Sequence, residues 1–320
     1  MKKHLSTIII WGIALFLSAS PVLAQGYMEQ MAQDKAKSDS VKAVRAAEQA
    51  VYDAQNTKYH RVVWLVIGVS LLVAGSAFYV RNKATVLSII QLFTGGFRTK
   101  GDVTTLESKK ILVGAVYSSQ QSACLNTLKA DIGSKLYTIL GDWWGIHGRD
   151  SAIETLDYLK NKSFAYYFPT VWKAFHAGSD EERKAIIIDA MTTQEDAEKA
   201  YEQTYNLLES VEALKTLKII RQTSDIEKYG VVGWDAGRLV FIARICHDAQ
   251  YITEQEAWEY IDAAYGQAQK AFGSWEELAK SYLIGRFIWR GKEADDGMDG
   301  LADNLVNKPK SPWKQVAWKG

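Results

Sequence analysis

An all-α fold is what the sequence predicts, and three observations carry it. Four prolines stand against eleven tryptophans, a ratio that suits long helices packed through large aromatic side chains. Helix-start chemistry recurs, with Ser179 ahead of Asp-Glu-Glu, Thr253 three residues before Glu256, and Ser274 three residues before Glu277. The period-two alternation of strands is scarce from about Leu106 onward.

Two apolar runs precede the helical text. The N-terminus MKKHLSTIIIWGIALFLSASPVLAQG reads as a signal peptide over residues 1–24. Lys2 and Lys3 form the basic start, Leu5 to Ala19 the apolar run, and Val22-x-Ala24 the cleavage pattern. A retained signal anchor is the alternative. Residues 62–80 carry no charge, and at about 1.5 Å per residue they cover about 28 Å, close to a hydrocarbon core of roughly 30 Å. This run is expected to span a membrane, with Trp64 and Tyr79 near its ends. Whether the signal is cleaved or retained, the chain after residue 81 ends on the cytoplasmic side.

Residues 25–61 are then extracytoplasmic, and their Ala, Gln and mixed charges predict a solvated helix. Gly68 and Gly75 share one face of the span, where a homodimer could form. Residues 81–104 read as a juxtamembrane helix and a linker. Gly96 and Gly101 have phosphate-loop spacing, but Asp102 stands where a lysine would hold the phosphate charge.

Composition excludes several functions. Lys plus Arg is 38 against 37 for Asp plus Glu, so net charge gives no pull toward nucleic acid. Cys124 and Cys246 match no metal or redox spacing, and no metal or cofactor is implied. The histidines show neither triad nor ligand spacing. Tryptophans 143, 144, 234, 258, 275, 289, 313 and 318 sit at helical spacings that predict core positions, and the tail SPWKQVAW reads as a strap docking Trp313 and Trp318.

The ordered series GDWWGIHGRDSAIETLDYL, YGVVGWDAGRLVFIARICHDAQYITEQEAWEYI, FGSWEELAKSYLIGRFIW and SPWKQVAW carries a resemblance. Over roughly residues 105–320 the chain resembles the bacterial domain-of-unknown-function family numbered 1266. It departs from that family around Arg244, where an aromatic or glycine setting is replaced by Arg-Ile-Cys-His. The resemblance implies a fold unit and no assigned activity. With the span, it places the protein in the bacterial inner membrane, single-pass, with its C-terminal domain cytoplasmic.

Charges on apolar faces are the candidate chemistry. On a helix over 233–248, Asp235 and Arg238 fall inside the arc of Leu239, Ile242, Ile245 and Cys246, while Arg244 falls opposite, within reach of Asp248. On 275–289, Arg286 sits among Trp275, Leu278, Tyr282 and Trp289, beside Gly285. Buried charges need partners. Asp235 is expected to pair with Arg238, and Glu254, Glu256 or Asp262 to take Arg286. These residues form either a closed network fixing helix register or a pocket for an anionic small molecule.

The functional expectation is a membrane-anchored helical binding or interaction module that recruits a protein partner to the inner membrane face. The alternative is a ligand-binding sensor or enzyme using the inward Asp/Arg pocket.

Overall fold

The computed structural model describes residues 96–294 and 297–319, with helical residues 29–30, 32–37, 39–40 and 42–47. The expected signal peptide, the span at 62–80 with its glycine pair, and the juxtamembrane helix lie outside the described residues. No helix among the described residues is long and apolar enough to cross a membrane. The chain divides into two units, residues 1–81 and 82–320. In the first, the described residues are helical and exposed, as a solvated helix should be.

The second unit is all-α, with no strand among its described residues. Its described helices start with α1 (Leu106–Ile111), a 3-10 turn, α2 (Ala115–Gln120), α3 (Lys135–Thr138) and a π-helical turn (Ile139–Trp143). There follow α4 (Arg149–Asn161), α5 (Phe164–Phe175), α6 (Asp180–Ala190), α7 (Gln194–Thr216) and α8 (Ser224–Tyr229). The chain then forms α9 (Val232–Asp248), α10 (Glu254–Ala271) and α11 (Trp275–Arg290). A second 3-10 turn, α12 (Met298–Asn307) and α13 (Pro312–Gln315) complete it.

Side-chain caps set the helix starts where the sequence places them. The Thr253 hydroxyl accepts from Glu256 N while the Glu256 carboxylate accepts from Thr253 N, and α10 starts at Glu254. Ser179 caps α6. Ser274 caps α11, but Glu277 reaches Gly273 N instead of Ser274 N, so the reciprocal half of the expected box is displaced by one residue.

The whole unit is organised around α9, on which Gly233 through Cys246 are buried without a break. Helices α4, α10 and α11 pack against it. At Gly233 a Cβ would lie 2.6 Å from Leu278 O of α11, so only glycine permits this backbone approach. A helix apolar on all sides is an enclosed helix and has no outer face.

That enclosure corrects the expectation for Arg244. It is fully buried and does not decorate a surface beside Asp248. Its Nη2 donates to Cys124 O at 2.5 Å, Nη1 to Ser118 Oγ at 2.9 Å and Nε to Leu128 O at 3.2 Å. Asp248 instead accepts from Ala130 N at 2.8 Å. Together they hold the loop between α2 and α3. Desolvation pulls the Arg244 guanidinium down to about 10, which still leaves it charged at neutral pH.

The expected linker is also more than a tether where it is described. Asn126 exchanges two hydrogen bonds with the Lys100 backbone, and Arg98 donates to Ser122 O and pairs with Asp131. Arg98 and Lys100 are therefore bound to the loop that follows α2. At the other end the strap docks as expected. Trp313 and Trp318 donate from Nε1 to Leu112 O and Phe272 O, and both pack on Trp275.

Replacing Arg244 by leucine should leave two buried acceptors, Ser118 Oγ and Cys124 O, and the half-buried Leu128 O without their donor. The expected loss in urea unfolding is about 3–5 kcal/mol; a loss below about 1 kcal/mol would contradict the role assigned to it.

Candidate functional site

The site is built outward from the first turn of α5. Its N-cap residue, Ser163, makes no capping bond of its own. Asp235 of α9 performs that task from across the core. Its Oδ2 accepts from Ala165 N at 2.7 Å, and its Oδ1 accepts from Ser163 Oγ at 2.7 Å. A carboxylate at a helix N-terminus is favoured both by the unpaired N–H groups and by the helix dipole. Arg238, one turn along α9, closes the triangle by donating from Nη2 to Asp235 Oδ1 (2.6 Å) and to Ser163 Oγ (2.7 Å). The expected Asp235–Arg238 pair therefore exists, and both residues are buried.

The other face of the Arg238 guanidinium lies against aromatic rings, 4.5 Å from Trp234 and 4.9 Å from Phe164. Beyond it opens a cleft of about 540 Å³ to which α2, the π-helical turn, α9 and α11 contribute. Arg286 lines the same cleft, buried, with its guanidinium 5.6 Å from the Trp289 ring and 6.0 Å from Trp234. Arg290 is the third guanidinium of the lining.

Neutral donors complete the cleft. Tyr117 Oη accepts from Trp144 Nε1 at 3.2 Å, which leaves its own proton to donate. Burial raises the Tyr117 pKa against the opposing influence of that bond and of Arg238 and Arg286, so the phenol stays protonated. The Trp234 indole N–H is buried with no acceptor among the described residues. Trp143 and Trp289 stand at the rim, 57% and 47% exposed.

Two of the expected partners lie elsewhere. Asp262 is bound to Lys110 at 2.7 Å, and Glu256 forms a two-pronged pair with Arg149 at 2.5 and 3.0 Å in addition to its cap. Neither lines the cleft that Arg286 lines. Glu256 and Asp262 belong to the domain's periphery, where helix α10 meets α4 and α1. Trp143 and Trp289, expected in the core, are exposed lining of the cleft. Gly285 is close to Trp234, where a Cβ would fall 2.2 Å from the Trp234 Cβ, so the approach its missing side chain allows is by an indole.

The sequence reading also missed Tyr117, Gln120 and Arg290. The Trp143-Trp144 dipeptide was the available signal. Adjacent positions on a helix point about 100° apart, so two neighbouring indoles do not both enter one core. Cys246 is a core thiol, pushed up to about 12 by burial. Among the described residues no group of His, Cys, Asp and Glu is arranged to hold a metal ion.

The family model of DUF1266, proteins of unknown function, matches residues 139–318, more than half of the chain. The chain belongs to the DUF1266 family. It is similar to the uncharacterized protein YbeU of Escherichia coli (strain K12), 24% identical over 168 residues, which is 51% of this chain and 63% of YbeU. The chain thus spans less than two thirds of that relative's length. No solved structure matches. The DUF1266 match contains Trp143, Asp235, Arg238, Arg286 and Trp289, whereas Tyr117 and Gln120 come from the segment preceding it. The acceptors of Arg244 precede it too.

The assignment of Glu256 to structure has a pH signature. Arg149, then the Thr253 N–H, hold its carboxyl at about 2, below the ordinary 4.5. A lowered folded-state pKa contributes stability that is complete above the ordinary value and is lost as pH falls toward the lowered one. Glu256→Gln should therefore melt earlier than the parent at pH 7, with the difference closing between about pH 4.5 and 2. A gap in melting midpoint that stays constant over that window would contradict the assignment.

Proposed function

We propose that this protein is a binding module whose Arg238/Arg286 cleft receives an anionic ligand, carried at the inner membrane face by the apolar run at 62–80. One observation carries the reading: guanidinium groups of Arg238, Arg286 and Arg290 line a single cleft together with Tyr117, Gln120 and four tryptophans. Arg238 keeps its charge in a fixed place because Asp235 and Ser163 orient it. The Tyr117 O–H adds a neutral donor beside it. A cleft of about 540 Å³ suits a small molecule or a chain end, within the roughly 300–1,000 Å³ usual for such sites. The described lining offers guanidinium, phenol, amide and indole groups, which are groups suited to recognition.

Recruitment of a protein partner is the second reading, favoured by the exposed Trp143 and Trp289 at the rim. An acidic chain end would then use the same guanidiniums as a free organic acid. The membrane attachment rests on the charge-free run alone.

The test is thermal protection of the full chain in detergent by organic carboxylates and phosphates at millimolar concentration, each paired with its neutral analogue. Anions should raise the melting midpoint and the neutral analogues should not. Arg286→Ala and Arg290→Ala should each abolish or weaken the shift while keeping the helical circular-dichroism signal. Equal protection of the parent and of both variants would sink the reading. A reporter fused after residue 320 that works only outside the cytoplasm would overturn the topology.

A further inference from the structure

We propose that the mouth of this cleft rests on the lipid surface, with the Trp143 and Trp289 rings seated among the headgroups. The proposal depends on the membrane attachment stated above and adds which face of the domain the bilayer meets. Trp143 and Trp289 are about half exposed and line one cleft. An indole joins a large apolar body to a single polar N–H, and water alone suits it badly. The headgroup layer satisfies both parts, which is why tryptophans collect at membrane interfaces.

The fold holds these rings in place. Trp289 leans on the buried Trp234 with centroids 5.8 Å apart, and Trp234 rests edge-on against Tyr282 at 5.0 Å. Trp143 closes the π-helical turn Ile139–Trp143, and its neighbour Trp144 is bonded to Tyr117 of α2 at 3.2 Å. Rings supported in this way lose little side-chain freedom on meeting a second surface.

The path of the chain favours lipid as that surface. Arg98 donates to Ser122 O at 2.7 Å, and its own carbonyl accepts from Leu125 N at 2.8 Å, so the chain enters the domain along the loop that follows α2. Gln120, at the same end of α2, lines the cleft. Lys135 of α3 meets that end too, donating to Gln121 O at 3.4 Å, and the turn bearing Trp143 follows α3 directly. The entry point and the tryptophan rim therefore share one edge of the domain.

The sequence leading to this edge has the character of a membrane-surface segment. Residues 84–97 are free of charge and include the apolar stretch VLSIIQLF, and no carboxylate occurs from Ala54 to Gly101, whereas Arg81, Lys83, Arg98 and Lys100 all fall within that range. An apolar stretch set among cations is drawn to an anionic leaflet. Arg98 and Lys100 pair with Asp131 and fasten the approach to the domain, and Arg81 and Lys83 add to its charge. A protein partner arriving from solution would need no such approach.

The experiment places a nitroxide on the full chain reconstituted in vesicles of phosphatidylethanolamine and phosphatidylglycerol. Native Cys124 and Cys246 are buried, so the label goes to an introduced cysteine. Asp142→Cys puts it beside Trp143 on the rim, and Ile188→Cys puts it on α6, which packs on α5 and α7. Collision with oxygen relative to a water-soluble nickel chelate should be severalfold higher at position 142 than at position 188. Trp143→Ser with Trp289→Ser should bring the ratio at 142 down to that at 188 while the helical circular-dichroism signal is kept, and Trp143→Tyr with Trp289→Tyr should preserve it. Equal ratios at 142 and 188 in a chain that floats with the vesicles would overturn the contact and leave the attachment standing. So would a serine variant that keeps the high ratio. A label at 142 shielded from both reagents would mean that protein covers the rim, which overturns the lipid assignment. A chain that does not float would overturn the attachment and the contact together.

Discussion

The Asp235 carboxylate is the point on which the rest of the domain depends. It leaves α9, the enclosed helix, and satisfies the first turn of α5 by accepting from Ala165 N and Ser163 Oγ. The same Oδ1 accepts from Arg238. One buried side chain therefore fixes where α5 begins, how it meets α9, and which way a guanidinium faces. An ion pair in low dielectric loses much of its Coulombic gain to desolvation. This one offsets that cost with hydrogen bonds to a hydroxyl and a backbone N–H, so no oxygen of the carboxylate is left unused.

The pair is also a partition. Asp235 and Ser163 line a cleft of about 410 Å³ on one side, and Arg238 lines the tryptophan cleft on the other. The alternatives of a closed network and an open pocket thus turn out to be compatible. Asp235 is consumed by structure, and the charge it orients is presented to a cavity. Arg286 and the Trp234–Trp289 stack share that cavity because Gly285 lets Trp234 settle against α11.

Much of the fold was legible in the sequence because local rules act there alone. Thr253 and Glu256 form their box at the position their spacing gives, and Ser179 caps α6. Asp235 and Arg238 are one turn apart, so their pairing follows from helical geometry. Arg244 defeated the same geometry. A helical wheel assigns an outside to every helix, and α9 has none once α4, α10 and α11 surround it. The carbonyls that receive Arg244 lie about 120 residues earlier in the chain. No periodicity within 233–248 carries that information. Glu256 and Asp262 failed as partners of Arg286 for a related reason: each was already engaged by Arg149 or Lys110 from a distant helix. The cleft itself was only half visible, since its Tyr117 and Gln120 edge comes from a part of the predicted helical domain where no charge on an apolar face marked a site.

The central claim is that Asp235 and Arg238 act as one unit that both caps α5 and sets the cleft. A double-mutant cycle in urea unfolding, with Asp235→Asn, Arg238→Met and the double variant, tests it most directly. The account predicts single losses of about 3–5 kcal/mol each and a double variant less damaged than their sum, with a coupling of about 1.5–3 kcal/mol. Losses that add to within about 0.5 kcal/mol would show the two residues acting independently and would contradict it.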